Sequence, residues 1–331
     1  MKIEYFFQDK VVLITGGAGC IGSNLSKRLS MLGAKKIIVY DNLSSSYEWN
    51  LPAAGNIIFL KADICNKQQL EKAFEFNPQI IFHLAAHFAN QNSVDFPEVD
   101  LEVNGQGLLR TLMFAKEAQV QRFIYASSGC GVYGLESRIP FKEENISIHL
   151  HTPYQVTKLL GELYCNYFYN LYGLPIVNAR FFNVYGPGEV PGKYRNVIPN
   201  FIYWAMHQQP LPITGDGSET RDWTYVSDIV DGLLAMCLYD KAIGQAINLG
   251  SGVEHRVIEM AELVNHLTNN PSGLVYKERR NWDVKTRLLS SIDKAKEILH
   301  YQPKMFFEKG VEQVYHWFVQ HWDDVLKSAE F

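Results

Sequence analysis

Tyr154 and Lys158 stand four residues apart in the run Tyr154-Gln155-Val156-Thr157-Lys158, and on a helix that spacing stacks them on one face. An ammonium beside a phenol stabilises phenolate and lowers its pKa from about 10 towards the working range. That is how a tyrosine becomes a general base. Of the 18 tyrosines in the chain, no other has a lysine four residues on. Pro153, directly before the pair, suits a first helical turn and places Tyr154 at a helix start. Upstream, Tyr125-Ala126-Ser127-Ser128-Gly129-Cys130 brings two hydroxyls to the end of an apolar run, where such groups hydrogen-bond a reacting alcohol and share its proton.

A second constellation lies near the start, in Thr15-Gly16-Gly17-Ala18-Gly19-Cys20-Ile21-Gly22. Gly16, Gly19 and Gly22 form GxxGxxG between an apolar run and a helical pattern. Missing side chains let the backbone turn tightly and approach a pyrophosphate, whose charge then meets the helix N-terminus. Asp41 closes the next apolar run about twenty residues on, where an acid bonds the adenosine ribose diol. A carboxylate there repels a 2′-phosphate, so NAD is expected over NADP. Asp63, after the third run, is placed to reach the adenine amine, with Ile64 packing beside it.

These residues need a frame, and the chain writes one. Residues 11–15, 37–40, 57–60, 80–84 and 123–127 read as strands buried on both faces. Helical patterns at 21–31, 68–76 and 103–118 alternate with them, which predicts a doubly wound parallel α/β sheet of the Rossmann type. A helix at 154–172 and a strand at 175–180 extend the series. After Asn183 the texture changes: residues 185–195 are rich in Gly and Pro and read as a loop. Helices near 198–207, 228–238, 258–267, 292–299 and 308–322 and a strand near 246–249 follow. The expected division is a cofactor-binding domain over 1–183, joined by parts of 223–250, and a smaller substrate lobe over 184–331.

The 331 residues are about twice the ~150 that serve as a prior for one domain. A hydrophobic fraction of 47% with 20% charged residues excludes disorder. Lys and Arg number 31 against 35 Asp and Glu, and a net charge of −4 excludes a nonspecific nucleic-acid or membrane-surface binder. An anionic small molecule can still be held where a few arginines converge. Five scattered cysteines without a CxxC pair argue against a disulfide framework and fit a reducing compartment. No run is long and apolar enough for a membrane span, and Glu4, Gln8 and Asp9 interrupt any signal-peptide core, so the cytoplasm is the expected location. His83 and His87, like His149 and His151, lack a third ligand for a metal site and read as cofactor-side or solvated groups.

In order and spacing the motifs resemble the extended short-chain dehydrogenase/reductase family, in particular nucleotide-sugar epimerases of the UDP-glucose 4-epimerase kind. The likeness runs through TGGAGCIG, Asp41-Asn42-Leu43-Ser44, Asp63-Ile64, His83-Leu84-Ala85-Ala86, Asn104, SSGCGVYG and YQVTK. It continues in RFFNVYGP from Arg180, NVIP from Asn196, Gly215-Asp216-Gly217, TRDWTYV from Thr220, and Arg279-Arg280-Asn281-Trp282-Asp283. The resemblance implies that Ser128, Tyr154 and Lys158 carry catalysis. It implies an NAD site lined by Gly16, Gly19, Cys20, Ile21, Asp41 and Asn42, by Asp63, Ile64, Leu84, Ala85 and Asn104, and by Tyr154, Lys158 and Phe181. Asn183, Asn196, Val197, Arg221, Arg280 and Asp283, with Ser128, fall to the nucleotide-diphosphate sugar, UDP-sugars being favoured. Two arginines supply planar donors suited to a diphosphate.

The implied reaction is epimerisation, at C4, of a UDP-glucose/galactose or UDP-uronate sugar through a transient 4-keto sugar. A one-way reductase uses the same Tyr/Lys pair, but Asp41 weighs against its usual NADPH. Dehydratases and decarboxylases of the family carry a carboxylate just after the serine, where this chain has Gly129 and Cys130. A silent NAD-sensing module would lose the Tyr or the Lys. Two departures stand out: Asn281-Trp282 replaces the common Pro-Gly, and the serine loop is one residue longer than in some epimerases, with Ser128 rather than Ser127 keeping the family spacing. Arg287 falls where relatives gate the sugar pocket, and is expected either to clamp a uronate carboxylate or to reach the diphosphate or solvent. The apolar girth of LLGELYCNYFYNLY after Lys158 predicts a homodimer, which relatives build by pairing this helix and the one near 103–118.

Overall fold

The computed structural model describes residues 3–136 and 138–331; Met1 and Lys2 of the N-terminal stretch read above lie outside them. Uninterrupted Val, Ile and Leu runs are satisfied by strands covered on both faces, and five such strands open the fold together with Ile57–Lys61, an edge strand only half-buried where full burial is expected. They are β1 (Val11–Thr15), β2 (Lys36–Asp41), β3 (Ile57–Lys61), β4 (Ile80–His83), β5 (Arg122–Ser128) and β6 (Ile176–Phe181). A seventh strand, Ala246–Leu249, pairs with β6. The sheet runs in the order seventh strand, β6, β5, β4, β1, β2, β3, and every pairing is parallel.

Alternation along the strands divides the core. Ile14, Val39, Phe82 and Ile124 pack on one side with Leu25 and Leu233. Their neighbours Leu13, Ile38, Ile81 and Phe123 pack on the other with Leu108, Leu112 and Phe168. The first side also takes in Ile229, Ile247, Ile292, Leu299 and Tyr301, so late segments return to the sheet after the chain has left it.

A separate core of Phe201, Ile202, Trp223, Met260, Val264, Val311 and Phe318 holds the helices Val197–Met206, Val257–Thr268 and Phe307–Gln320 together. Short ladders, separate from the main sheet, accompany this part. One is the three-stranded set His255–Arg256, Thr220–Arg221 and Arg287–Leu288. Another, the parallel pair Leu211–Thr214 and Leu274–Lys277, falls where the sequence reading assigns no strand, because four residues are too few for a period to stand out.

The sheet brings the chemistry to one edge. Thr15 is level with Tyr40 and His83, and Ser128 and Leu249 are both level with Phe181. The strand order reverses between β1 and β4, which opens a crevice at their carboxyl ends. The helix expected over 103–118 is π-helical from Leu101 to Gly107 and α-helical only from Leu108 to Glu117. Gly107 fits there because a Cβ would lie 2.6 Å from Ile64 Cδ1. Among the described residues, no helix is long and apolar enough to cross a membrane and no cluster of acidic, His and Cys side chains could hold a metal.

Candidate active site

Pro153–Tyr172 starts where its sequence says it should. The Thr152 hydroxyl accepts from Gln155 N, Pro153 occupies the first turn, and Gly173 ends the helix at φ +67°. This sets Tyr154 and Lys158 against the end of β5. Of the two serines there, Ser127 donates to the buried Glu162 carboxylate, which also receives Arg180 through Nε at 2.8 Å and Nη2 at 2.7 Å. Ser128 turns the other way: its Oγ accepts from Gly131 N at 3.1 Å and acts on the Tyr154 phenol. Ser127 thus belongs to the scaffold and Ser128 to the cleft.

The electrostatics differ from the sequence expectation. Burial pushes the Tyr154 phenol above its ordinary range, with Asp100 and Cys130 adding to the rise and the Ser128 hydrogen bond opposing it. Lys158 does not lower it in the protein alone. Its Nζ donates to the Ala126 carbonyl at 2.8 Å and lies 5.5 Å from the Tyr154 ring centroid, beneath the ring. Burial brings Lys158 itself down to about 8, with Asp100 working the other way.

Asp100, which no motif marked, is fully buried and accepts from Thr157 Oγ1 at 2.6 Å and Asn104 Nδ2 at 2.9 Å. Asn104 also accepts from His87 N at 2.8 Å, so it ties the β4 loop to the catalytic helix through protein contacts. His83 is a core histidine rather than a cofactor-side or solvated one: it bonds Thr15 Oγ1 at 3.0 Å, and burial drives it down to about 3, hence neutral.

The crevice fits a dinucleotide. Gly16 has φ +68°, and a Cβ would meet Ala85 N at 2.6 Å; at Gly22 a Cβ would lie 2.5 Å from Gly17 Cα. These two glycines are demanded by packing. Gly19 is not, since a Cβ there would meet only Gly16 O at 3.4 Å, so its bare face lies open to the cleft. No side chain caps the helix Cys20–Met31 that begins beside it, which leaves an anion-receptive end. Cys20 turns its thiol to the Gly186 and Pro187 carbonyls, and Ile21 packs into both cores.

Asp41 accepts from Ala18 N at 3.0 Å, Leu43 N at 2.9 Å and Ser46 Oγ at 2.7 Å, which fixes its carboxylate beside the loop. Asn42 donates to Asp63 at 2.9 Å, linking the two acids' loops. Leu84 and Ala85 follow β4 opposite Gly16, Ile64 is buried, and Phe181 ends β6.

On the lobe side, Asn183 donates to the Asp222 carbonyl at 3.3 Å, and Asn196, just before Val197 opens its helix, donates to Glu189 at 2.7 Å. Arg221 lies 3.5 Å from Asp283. Arg280 is exposed, its guanidinium 5.5 Å over the Trp282 ring. The loop is pinned by Arg279, which donates to the Asp283 carbonyl at 2.9 Å and pairs with Glu219 at 3.0 Å. The Asn281-Trp282 departure has a structural role, because Trp282 Nε1 donates to Gln91 at 2.8 Å.

Of the alternatives open to Arg287, the ladder turns it outward. Arg287 pairs with Thr220 across the ladder, whereas Arg221 pairs with Leu288, and alternate residues face opposite sides. Its guanidinium engages Glu254, which also receives the Thr220 hydroxyl, and it is 55% exposed.

The sequence model of the NAD dependent epimerase/dehydratase family matches residues 12–250. A solved epimerase structure from Methanothermobacter thermautotrophicus superposes with a TM-score of 0.98 at 65% identity, covering 99% of this chain and 98% of that one. UDP-glucose 4-epimerase of Mycolicibacterium smegmatis is 33% identical over 309 residues, 92% of this chain and 97% of the relative. UDP-glucuronate 4-epimerase of Thermodesulfobacterium geofontis is 33% identical over 316 residues, 92% and 95% of the two chains. The chain belongs to the NAD dependent epimerase/dehydratase family and is, within it, an NAD-dependent nucleotide-sugar epimerase.

Proposed function

We propose that the protein inverts C4 of a UDP-hexose or of its uronate through a transient 4-keto sugar, with Tyr154 as the acid/base. The observation that carries this reading is Tyr154 at the β5 edge with the Lys158 amine beneath its ring, 5.5 Å from the centroid and anchored on the Ala126 carbonyl. Tyr154 takes the C4 hydroxyl proton at its phenolic oxygen and returns it after the sugar has turned. Ser128 holds the same oxygen in place and shares the proton. Lys158 keeps a positive charge under the phenol. Gly16, Gly19, Asp41 and Asp63 are the residues that would hold NAD, with Phe181 at the reacting end. NAD, when bound, supplies reversible hydride acceptance from the sugar carbon and a positive ring charge that favours phenolate. Gly129 and Cys130 offer no carboxylate for elimination or decarboxylation, and burial raises the Cys130 thiol further.

We assign cofactor binding to residues 1–183 with parts of 223–250, and sugar-nucleotide binding mainly to 184–331. The protein acts as a homodimer in this reading. Val156, Leu163, Tyr167 and Leu171 on the catalytic helix, with Leu101 and Met113 on its neighbour, are each 46–60% exposed and form an apolar face. The test is to denature the purified protein, identify NAD by mass spectrometry, and follow UDP-glucose by NMR. Conversion to UDP-galactose without consumption of added NADH is expected. Stoichiometric NADH consumption would make it a reductase, and a monomeric mass at micromolar concentration would remove the dimer.

A further inference from the structure

The amine of Lys285 is buried, yet no described residue accepts a hydrogen bond from it. It lies 4.2 Å from the centroid of the Phe141 ring, a contact that solvates a cation only weakly. Three groups act on it electrostatically. Cys130 is a neutral thiol, Arg221 repels it, and Glu136 attracts it but is itself bonded to Arg138 through both carboxylate oxygens. A buried ammonium without an acceptor is destabilising on its own and gains free energy when an anion reaches it.

The position of this charge says what the anion is attached to. The Cys130 thiol lies within electrostatic reach of the Tyr154 phenol on one side and of Lys285 and Arg221 on the other. Geometry agrees: the Phe141 ring beneath Lys285 stacks on Phe182 at 6.4 Å, and Phe182 packs against Gly129, the residue after Ser128. The other cations of the lobe are spoken for or outlying: Arg221 is offset by Asp283 at 3.5 Å, Arg279 by Glu219 at 3.0 Å, and Arg280 sits on the exposed face of Trp282. One unmatched positive charge behind the serine loop calls for one negative charge on the sugar, beyond those of the diphosphate.

We propose that Lys285 receives a carboxylate borne by the sugar, so that the enzyme's substrate class is a nucleotide-diphosphate uronate or another carboxylated sugar. The assignment rests on the epimerase reading above. Arg287 is turned outward to Glu254, and Lys285, two residues earlier and outside the strand, has the buried amine that supplies the cation. The charge-assisted bond replaces the missing acceptor and orients the sugar against Tyr154.

The test compares the NAD-loaded parent with Lys285→Met, which keeps the bulk without the charge, and with Lys285→Arg, which keeps the charge. The parent is expected to epimerise UDP-glucuronate in preference to UDP-glucose. Lys285→Met should lower the ratio of kcat/KM for UDP-glucuronate over UDP-glucose about thirtyfold or more, and Lys285→Arg much less. Calorimetric binding of UDP, UDP-glucose and UDP-glucuronate to NAD-loaded Tyr154→Phe, with and without Lys285→Met, reads the same effect without turnover. Weakening confined to the uronate supports the proposal. Equal weakening of all three assigns the amine to the diphosphate and overturns it, as does a ratio unchanged within twofold. A parent that epimerises neutral UDP-sugars but no uronate overturns the carboxylate and leaves the epimerase reading standing. A parent that turns over no UDP-sugar at all removes both.

Discussion

At the sheet edge the buried Glu162–Arg180 pair, Asp100 and Lys158 are closed by the protein itself, whereas the lobe leaves a buried amine without an acceptor among the described residues. Glu162 and Arg180 meet at 2.7 Å with side chains no more than 5% exposed, Asp100 is held by Thr157 and Asn104, and Lys158 donates to a backbone carbonyl. Across the cleft, Arg221 and Asp283 are 3.5 Å apart, Arg287 is more exposed than buried, and Lys285 has no acceptor among the described residues. The first region is preorganised: the proton-transfer geometry exists before any ligand arrives, as catalysis requires. The second is completed by its ligand, as suits selectivity, since an unpartnered charge discriminates strongly between a ligand that satisfies it and one that does not.

The sharpest way to break this contrast is at the edge. Tyr154→Phe removes the proton-carrying oxygen without changing the packing, so turnover should fall by about a hundred- to ten-thousandfold while NAD still binds. Steady-state rates with a cofactor-content assay check it, and near-parental turnover would end the assignment. Next comes Glu162→Ala, which strands a buried guanidinium and frees Ser127. Losing one partner of such a pair costs about 3–5 kcal/mol, so urea denaturation should show a large loss of stability. A loss below ~1 kcal/mol would mean that the edge is no more rigid than the lobe.

The same contrast explains what the amino-acid sequence could say. The strands were legible because burial fills them with runs of apolar residues, and Tyr154 with Lys158 because a helix fixes what four residues of spacing means. Asp100 and Glu162 were not legible. Each is one acid among 35, and what makes it matter is a partner more than a dozen residues away, Thr157 for one and Arg180 for the other. Arg287 stayed open between pocket and solvent for a related reason. Spacing from Arg280 carries a position across a family, but in a two-residue strand the face on which a side chain lies is set by pairing with Thr220, which the spacing does not record. The depressed Lys158 and raised Tyr154 are burial effects and have no sequence signature.

The glycines sharpen the comparison at intermediate size. Gly22→Ala forces a Cβ to 2.5 Å from the Gly17 backbone, an overpacking that costs about 1–3 kcal/mol or more. Gly19→Ala meets nothing nearer than 3.4 Å, at a φ of −73° that alanine adopts freely. Its Tm without cofactor should match the parent's, while NAD affinity drops on the order of tenfold because the methyl stands where the phosphate must approach. A Gly19→Ala protein that binds NAD normally would mean the loop's open face is not the phosphate seat.

A smaller, pH-dependent effect reports on Lys285. Burial holds it at about 8 against an ordinary lysine value of 10.5. Below pH 8 both folded and unfolded chains carry the proton, and the burial penalty is felt in full. Between 8 and 10.5 the unfolded chain binds more protons, so stability rises with pH, and above that the penalty is gone. Lys285→Met removes this dependence while Lys158 contributes equally to both proteins. The variant's Tm should therefore exceed the parent's at pH 7, with the gap closing from pH 8 to 10.5. A constant gap would mean that the amine is not held unsatisfied.

The smallest effect is expected at Arg287, and its smallness is what decides. The guanidinium is bonded to Glu254 at the surface, where solvent screens the pair and side-chain entropy offsets much of the attraction, so Arg287→Ala should leave the Tm nearly unchanged. It lies on the side of the Thr220 ladder opposite Arg221, so it should change the UDP-glucuronate to UDP-glucose ratio by no more than about twofold. Measuring Arg287→Ala and Lys285→Met side by side separates two cations that the sequence places only two residues apart. If Arg287→Ala instead lost uronate turnover selectively, the ladder would have to turn over on binding, and the lobe would be a moving part rather than an open frame.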